Sequence, residues 1–275
     1  MAVGGMGWLE AGEAGPRGEV AVRCARRGAA GVGILVAYYS DMHTGRRIAD
    51  FDPRNQPAYS FAEASRYLKV PSATLRSWIV GRHYQTTTGD RHFSPLILSP
   101  DPERGYLSFW NLVEAHVLRA LRTDHGVAVR EVRAALDYAE KCLGIDRLLL
   151  RQELSTDAAG RLFLDRYGEL IRLSASGQLA MRQMLHAHLR RVDWDSWHFP
   201  VRLYPFTAAE RAASEMPIVI DPEISFGRPV VRDAFISTSI IARRIDAGES
   251  TVDLADDYGV TTDQIEQAVL YEHAA

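Results

Sequence analysis

Regularly spaced apolar residues predict the first ordered element shortly after Tyr59. Three of them recur at helical spacing and would share one face of a helix: Phe61, Ala64 and Leu68. Ser60 and Glu63 have the spacing of a capping box, in which each side chain bonds to the backbone of the other residue. A helix is therefore predicted to begin directly after Ser60.

A second short helix is predicted after a tight turn at Lys69-Val70. Pro71 is typical of a helix start, and Gly81 is typical of the residue that follows a helix end. Within the range Ser72 to Val80, the buried face would carry two apolar residues, Leu75 and Trp78. Two short helices joined by a tight turn form a helix-turn-helix, in which the second helix lies in the major groove of DNA.

A β-hairpin and two longer helices are predicted next. The apolar runs Leu96–Leu98 and Tyr106–Leu107 flank a loop rich in turn-forming residues, so we interpret them as the two strands of a wing. Ser108 then caps a helix, and a further amphipathic helix is predicted from Val129 to Leu143. Together these elements predict a winged helix-turn-helix over residues 53–145.

The segments on either side of this domain differ from it in character. Residues 1–52 are rich in Gly, Ala and Arg and have no helical or strand period, so they are expected to be a disordered tail. Residues 146–212 are predicted to be an α+β middle segment with two strands and a helix, followed by an aromatic stretch.

A helical module is predicted over residues 213–275. Two short strands flank a turn at Gly227–Pro229, and a helix runs from about Thr238 to Asp246. Ser250 and Thr261 each begin a capping-box pattern and would start two more helices. The predicted core positions of these last two helices are Val252, Leu254, Ala255, Ile265, Ala268 and Val269. The fold class is thus mainly α with small β-hairpins, with a three-helix, helix-turn-helix-like module at the C-terminus.

Charge separates the two predicted modules more clearly than the net charge of −3 suggests. From Arg54 to Arg91, six basic residues stand against two acidic ones: Arg54, Arg66, Lys69, Arg76, Arg82 and Arg91 against Glu63 and Asp90. After Arg244 every charged side chain is acidic: Asp246, Glu249, Asp253, Asp256, Asp257, Asp263, Glu266 and Glu272. Since phosphates attract the first set and repel the second, we expect DNA and protein ligands at opposite ends of the molecule.

Composition places the chain among ordinary globular proteins. Hydrophobic residues make up 47% and charged residues 24%, so most of the chain is expected to fold. The two cysteines, Cys24 and Cys142, lie far apart and have no metal-ligand or redox spacing, which indicates a cytoplasmic protein without a metal or other cofactor. No apolar run reaches the length of a membrane span, so no membrane partner is expected.

Patterns typical of enzymes are weak in this sequence. His186 and His188 are two residues apart on a predicted helix and would face different directions. The pair Asp193 and Asp195 is a spacing common in solvated loops, and no phosphate-binding loop or nucleophile elbow is present. The sequence therefore predicts a non-enzymatic protein with no catalytic residues.

The predicted second helix supplies the candidate DNA-binding residues. Its outward positions near the N-terminus are Ser72, Ala73, Thr74, Arg76 and Ser77. Serine and threonine can bond to base edges or phosphates, and arginine can pair with guanine or hold a phosphate. Arg82 and Arg91 follow the helix at positions where a wing could meet the neighbouring DNA backbone.

The segment from Tyr59 to Trp78 resembles the MerR-like winged helix-turn-helix family, and the similarity continues through Leu143. The ligand-sensing cysteines of that family are missing here, which argues against a metal-responsive regulator. The resemblance implies operator DNA as a partner. By the habit of helix-turn-helix proteins, a homodimer is expected.

The C-terminal module resembles a small family of unknown function found in VapB-type antitoxins. The resemblance rests on two strands around Gly227-Arg228-Pro229, followed by Ala-Gly-Glu-Ser at 247–250 and Tyr-Gly-Val-Thr at 258–261. It implies an antitoxin that neutralises a VapC toxin, an RNase of the PIN-domain fold with acidic residues and Mg²⁺, and represses its own operon. A stand-alone MerR-like regulator that senses a small ligand through residues 148–206 is the alternative.

Partner-binding candidates come from two places. Arg228 and Arg232 lie in the antitoxin-like module, and an arginine could displace the metal among a toxin's carboxylates. Trp194 and Trp197 belong to the aromatic stretch and could be anchors in an interface, although core packing is an equally natural role for them.

Overall fold

The helix-turn-helix forms as the spacing predicts. The computed structural model describes residues 52–87, 89–123, 129–138, 140, 146–150, 191–205 and 216–274. Helix α1 spans Phe61–Leu68 and helix α2 spans Ser72–Ile79. The capping box at α1 is confirmed, because the Glu63 N–H donates to the Ser60 hydroxyl over 3.3 Å and the Ser60 N–H donates to the Glu63 carboxylate over 2.9 Å. Lys69, in the left-handed conformation, makes the turn between the helices.

The wing lies earlier in the chain than the sequence predicts. Strands β2, Arg82–Thr86, and β3, Gly89–Phe93, pair antiparallel as a hairpin directly after α2. The prediction that Leu96–Leu98 forms a wing strand is wrong. Ile97 is buried in a loop, and its N–H donates to the Trp78 carbonyl over 3.1 Å. The apolar run therefore reflects loop packing on the core and not strand pairing.

The other predicted wing strand belongs to a different sheet. Strand β4, Tyr106–Leu107, pairs antiparallel with β1, Tyr59–Ser60, so it closes the base of the domain next to α1. Helix α3, Phe109–Thr123, and helix α4, Val129–Tyr138, follow in the predicted order, and the predicted end of the second helix at Leu143 lies outside the described residues. The Asn111 N–H donates to the Ser108 hydroxyl over 3.2 Å, which confirms Ser108 as the cap of α3.

A second hairpin packs on α3 and extends the core of the winged domain. Strands β5, Val192–Trp194, and β6, Pro200–Leu203, pair antiparallel, and the Phe199 ring stacks on Trp110 of α3 with centroids 4.9 Å apart. Arg54 fixes the hairpin tip through a 2.8 Å ion pair with Asp195. Most of the predicted middle segment, including its two strands and helix before residue 191, lies outside the described residues, as does the predicted tail over residues 1–51.

The C-terminal module has the predicted order of elements. Strands β7, Ile218–Val219, and β8, Val230–Val231, pair antiparallel and lead into α5, Thr238–Asp246, α6, Thr251–Tyr258, and α7, Thr262–His273. The capping box at Thr261 is confirmed, with both bonds to Gln264 present. Helices and small two-stranded antiparallel sheets thus account for the described fold.

One predicted core position of this module is wrong. Val252 is 56% exposed, because α6 turns Leu254 and Ala255 inward and leaves Val252 on its outer side. The buried core of the module is formed by Ile218, Val231, Ile241, Leu254, Ala255, Ile265, Ala268 and Tyr271.

The two modules are packed together and not placed at opposite ends. The buried Tyr271 hydroxyl of α7 donates to the carbonyl oxygen of Tyr67, at the end of α1, over 2.8 Å. Between the modules, Leu203 and Ile220 exchange two backbone hydrogen bonds of 3.0 and 2.8 Å. Charge counting does not detect this contact between the modules, and the expectation that DNA and protein ligands bind at opposite ends of the molecule stays a prediction.

A glycine turn makes a further contact between the modules. Gly227 has a φ of +71°, and a Cβ added there would lie 2.0 Å from the hydroxyl oxygen of Tyr59 in β1. Only a residue without a side chain fits at this position.

Among the described residues, no helix has the combination of length and apolar character that crossing a bilayer requires.

Replacing Gly227 with alanine should destabilise the protein by about 2 kcal/mol or more, because the new methyl group adds a clash with Tyr59 to the strain of a positive φ. Gly248→Ala is the matched control: Gly248 also has a positive φ, +97°, but nothing lies within 4 Å of an added Cβ. The control should lose only about 1 kcal/mol. Urea unfolding of both variants measures the difference, and equal losses would contradict the close contact.

Candidate nucleic-acid interface

The outward face of α2 carries the predicted DNA-reading residues. Ser72, Ala73 and Arg76 are exposed, and Thr74 and Ser77 are half-buried at the edges of this face. On the inner side Leu75 and Trp78 are buried in the core of the winged domain. The spacing of the helix therefore separates a packed side from a polar, solvent-facing side.

Arg76 is held above an aromatic ring. Its guanidinium carbon lies 5.0 Å from the ring centroid of Phe61, the first residue of α1. Such a cation–π contact orients a flexible side chain without using its hydrogen-bond donors. The Arg76 donors therefore remain available for a guanine edge or a phosphate.

The base of the wing is joined to α2 and α4 by backbone and side-chain contacts. The N–H groups of Leu96 and Ile97 both donate to the Trp78 carbonyl near the end of α2, over 2.7 and 3.1 Å. The Arg133 guanidinium of α4 donates to the Ser94 carbonyl and lies 4.6 Å from the Phe93 ring centroid. Both contacts hold the base of the hairpin against the helical part of the domain.

The two predicted wing arginines lie within this hairpin. Arg82 is exposed in β2 opposite Phe93, and Arg91 lies in β3 opposite Tyr84. The sequence placed these two residues near a wing, whereas they are part of its strands. Tyr84, which is exposed on the same face of β2 as Arg82, had no signal in the sequence pattern.

Two of the six basic residues counted between Arg54 and Arg91 contact residues far away in the chain. Arg54 bonds to the carboxylates of Asp52 and Asp195, which raise the pKa of its guanidinium. The Lys69 ammonium lies 4.6 Å from the Tyr271 ring centroid, and burial lowers its pKa. The basic surface near α2 is therefore smaller than the charge count predicts.

The predicted partner-binding tryptophans have different environments. Trp194 is half-buried and packs against the core of the winged domain. Trp197 is 77% exposed at the tip of the β5–β6 hairpin. Of the two, only Trp197 presents a large apolar surface to solvent.

The predicted partner-binding arginines lie on two loops that flank β8. Arg228 is exposed beside the Gly227 turn, and the Arg232 guanidinium lies 5.3 Å from the Tyr204 ring centroid. Arg228 also lines a cavity of about 140 Å³ between α1 and the C-terminal module, together with Glu63, Arg66 and Glu272. The turn that carries Arg228 thus touches the helix that supports α2.

Two phenylalanines on the same loops were missed by the sequence analysis. Phe226 is 92% exposed and Phe235 is 54% exposed, and both have a φ of 57°. A left-handed conformation costs a bulky residue energy, and such strain collects at ligand-binding sites. Aromatic residues beside arginines are also typical of the centres of protein interfaces. The sequence does hold a local signal for an exposed phenylalanine, because Phe226 lies between a serine and a glycine, which are typical turn residues.

Two families match the two modules. The family described as "Putative DNA-binding HTH domain" matches residues 57–136, which contain α1, α2 and the wing. The family described as "Protein of unknown function (DUF433)" matches residues 218–271, which contain the three C-terminal helices.

Relatives with similarity over most of the chain come from Mycobacterium tuberculosis. A protein named "Putative antitoxin VapB45" is 31% identical over 230 residues, which cover 78% of this chain and 92% of that protein. "Uncharacterized protein Rv2308" is 27% identical and covers 79% of this chain and 90% of its own length. The crystal structure of Rv2018 from the same organism is similar with a TM-score of 0.57 and 26% identity, over 79% of this chain and all of that one. The chain therefore belongs to the family of the antitoxin VapB45, and it combines a DNA-binding helix-turn-helix with a DUF433 module.

Proposed function

We propose that this protein is the antitoxin of a toxin–antitoxin pair and represses its own operon. In this proposal α2 enters the major groove and the wing contacts the neighbouring phosphates. The observation that carries it is the outward face of α2, where Ser72, Ala73 and Arg76 are exposed above a buried face. Membership of the VapB45 family supports the antitoxin role.

The attachment of the wing to α2 supports DNA binding by two elements at once. Trp78 of α2 accepts the two backbone bonds that hold the exit of the hairpin, so α2 and the wing would dock as one body. A homodimer would place two such bodies on half-sites about one helical turn apart. An operator with two-fold symmetric half-sites is therefore expected in the promoter.

Replacing Arg76 with alanine should weaken operator binding by about 1–3 kcal/mol, because it removes a guanidinium that reads a base or holds a phosphate. Fluorescence anisotropy with the protein's own promoter and with an unrelated duplex measures the loss. A loss on the promoter alone indicates base reading, whereas equal losses on both duplexes indicate a phosphate contact.

Arg243→Ala is the matched control for this experiment. Arg243 is exposed on α5 of the C-terminal module, so the variant loses the same charge at a different place. It should bind the promoter nearly as the natural protein does. If both variants bind equally well, α2 is not the reading element.

The second half of the proposal is a toxin-binding surface on the C-terminal module. We propose that the loops carrying Phe226, Arg228, Arg232 and Phe235 contact a VapC-type toxin, an RNase of the PIN-domain fold. The exposed phenylalanines would supply apolar burial, and the arginines would pair with the carboxylates of the toxin's active site. The acidic helices α6 and α7 would remain outside that contact.

Replacing Phe226 with alanine should lower the affinity for the toxin by about 2 kcal/mol, because the side chain is an exposed anchor. The fold should not suffer, since the ring is 92% exposed. The measurement is titration calorimetry with the toxin encoded by the neighbouring gene. Leu98→Ala is the control, because Leu98 is 75% exposed on the other module and should not contribute.

Trp197→Ala distinguishes this surface from the β5–β6 hairpin. If Trp197→Ala loses affinity while Phe226→Ala does not, the toxin binds the hairpin and the proposed surface is incorrect. Neither variant should change promoter binding in the absence of toxin, which separates toxin docking from DNA reading.

A further inference from the structure

The wing has two faces with different chemistry. In the β2–β3 register His83 lies opposite His92 and Gln85 lies opposite Asp90, whereas Tyr84 lies opposite Arg91. Directly opposed residues share a face, and residues two apart along a strand share it too. One face therefore carries two imidazoles, an amide and a carboxylate, and the other carries the cationic and aromatic residues.

The two imidazoles are already close together. The ring centroids of His83 and His92 are 4.5 Å apart with an angle of 41° between the planes, and both side chains are exposed. At directly opposed positions the Cβ atoms of two residues are about 4.5–5.5 Å apart. With zinc–nitrogen bonds of about 2.0–2.1 Å, two such imidazoles can reach one ion from adjacent corners of a tetrahedron.

We propose that His83 and His92 bind a divalent transition-metal ion of the class that prefers imidazole, such as Zn²⁺ or Ni²⁺. Neutral imidazole is the commonest protein ligand for these ions. Asp90 lies on the same face, two residue pairs nearer the hairpin tip; it supplies a carboxylate as third ligand, and water completes the coordination. Within the described residues, no three His, Cys, Asp or Glu side chains already lie close enough together to hold a metal ion. In this proposal the Asp90 side chain therefore rotates toward the two imidazoles when the ion binds.

The site differs from what the sequence analysis expected. The predicted absence of a metal rested on the spacing of the cysteines and of His186 and His188, and imidazoles brought together across a hairpin follow no such spacing in the sequence. The two histidines are nine positions apart in the chain and meet only through the strand register. A bound ion would join β2 to β3 and add positive charge to the wing; this consequence for DNA binding rests on the proposed function.

Zinc titration of the full-length protein tests the site directly. Equilibrium dialysis against Zn²⁺, with the bound metal counted, should show one ion fewer per chain in His92→Gln than in the natural protein. Other histidines and cysteines of the chain contribute equally to both proteins, so the difference isolates the wing. The same loss is expected for His83→Gln and, with Ni²⁺ as the probe, for either variant.

His198→Asn is the matched control. His198 is exposed, lies on the β5–β6 hairpin far from the wing in sequence, and has a φ of 61° that asparagine tolerates. It should bind as many ions as the natural protein. Equal zinc binding by His92→Gln and the natural protein would overturn the proposal.

Promoter affinity measured in EDTA and in added Zn²⁺ distinguishes a failure of the metal-site proposal from a failure of the proposed DNA binding. The natural protein and His92→Gln should bind the promoter equally without metal, and added Zn²⁺ should tighten binding at least several-fold only in the natural protein. Failure of both proteins to bind the promoter in either buffer would count against DNA reading and leave the zinc count as an independent result. Zinc binding with no change in promoter affinity would overturn the consequence for DNA but not the metal site.

Discussion

Among the contacts that join the two modules, the buried hydrogen bond from the Tyr271 hydroxyl to the Tyr67 carbonyl is the one that ties the C-terminal module to the helix-turn-helix itself. That carbonyl lies near the C-terminal end of α1, where a backbone oxygen lacks a partner within its own helix. Tyr271 satisfies it from α7, and Lys69 covers the outer face of the same ring. The acidic C-terminal module is thereby attached at the turn of the helix-turn-helix, immediately before α2.

This attachment changes how the charge distribution is interpreted. The basic side chains between Arg54 and Arg91 and the acidic side chains after Arg244 lie in different modules, yet the modules share an interface. The same interface includes the cavity lined by Arg228 and Arg66. A partner bound at the Phe226 turn would therefore sit against the helix that supports the DNA-reading face.

Local sequence signals predicted much of the fold, and non-local contacts account for the errors. The capping boxes at Ser60 and Thr261 and the apolar spacing of α1 and α2 depend on neighbouring residues, so they could be predicted. The wing strands β2 and β3 are mostly exposed, and their sequences show no alternation of apolar and polar residues. The buried loop at Ile97 has an apolar run that is also typical of a strand. The His83–His92 pair, the exposed Phe226 and the Tyr271 contact depend on register or on residues far apart in the chain, which a single sequence does not reveal.

The central claim is that the C-terminal module stabilises the helix-turn-helix through Tyr271, and hydrogen exchange tests it most directly. Amide exchange followed by mass spectrometry is compared between the natural protein and Tyr271→Phe, which keeps the ring and removes the hydroxyl. The account predicts faster exchange in peptides from both α7 and residues 61–80. Faster exchange in α7 alone, with residues 61–80 unchanged, would contradict it.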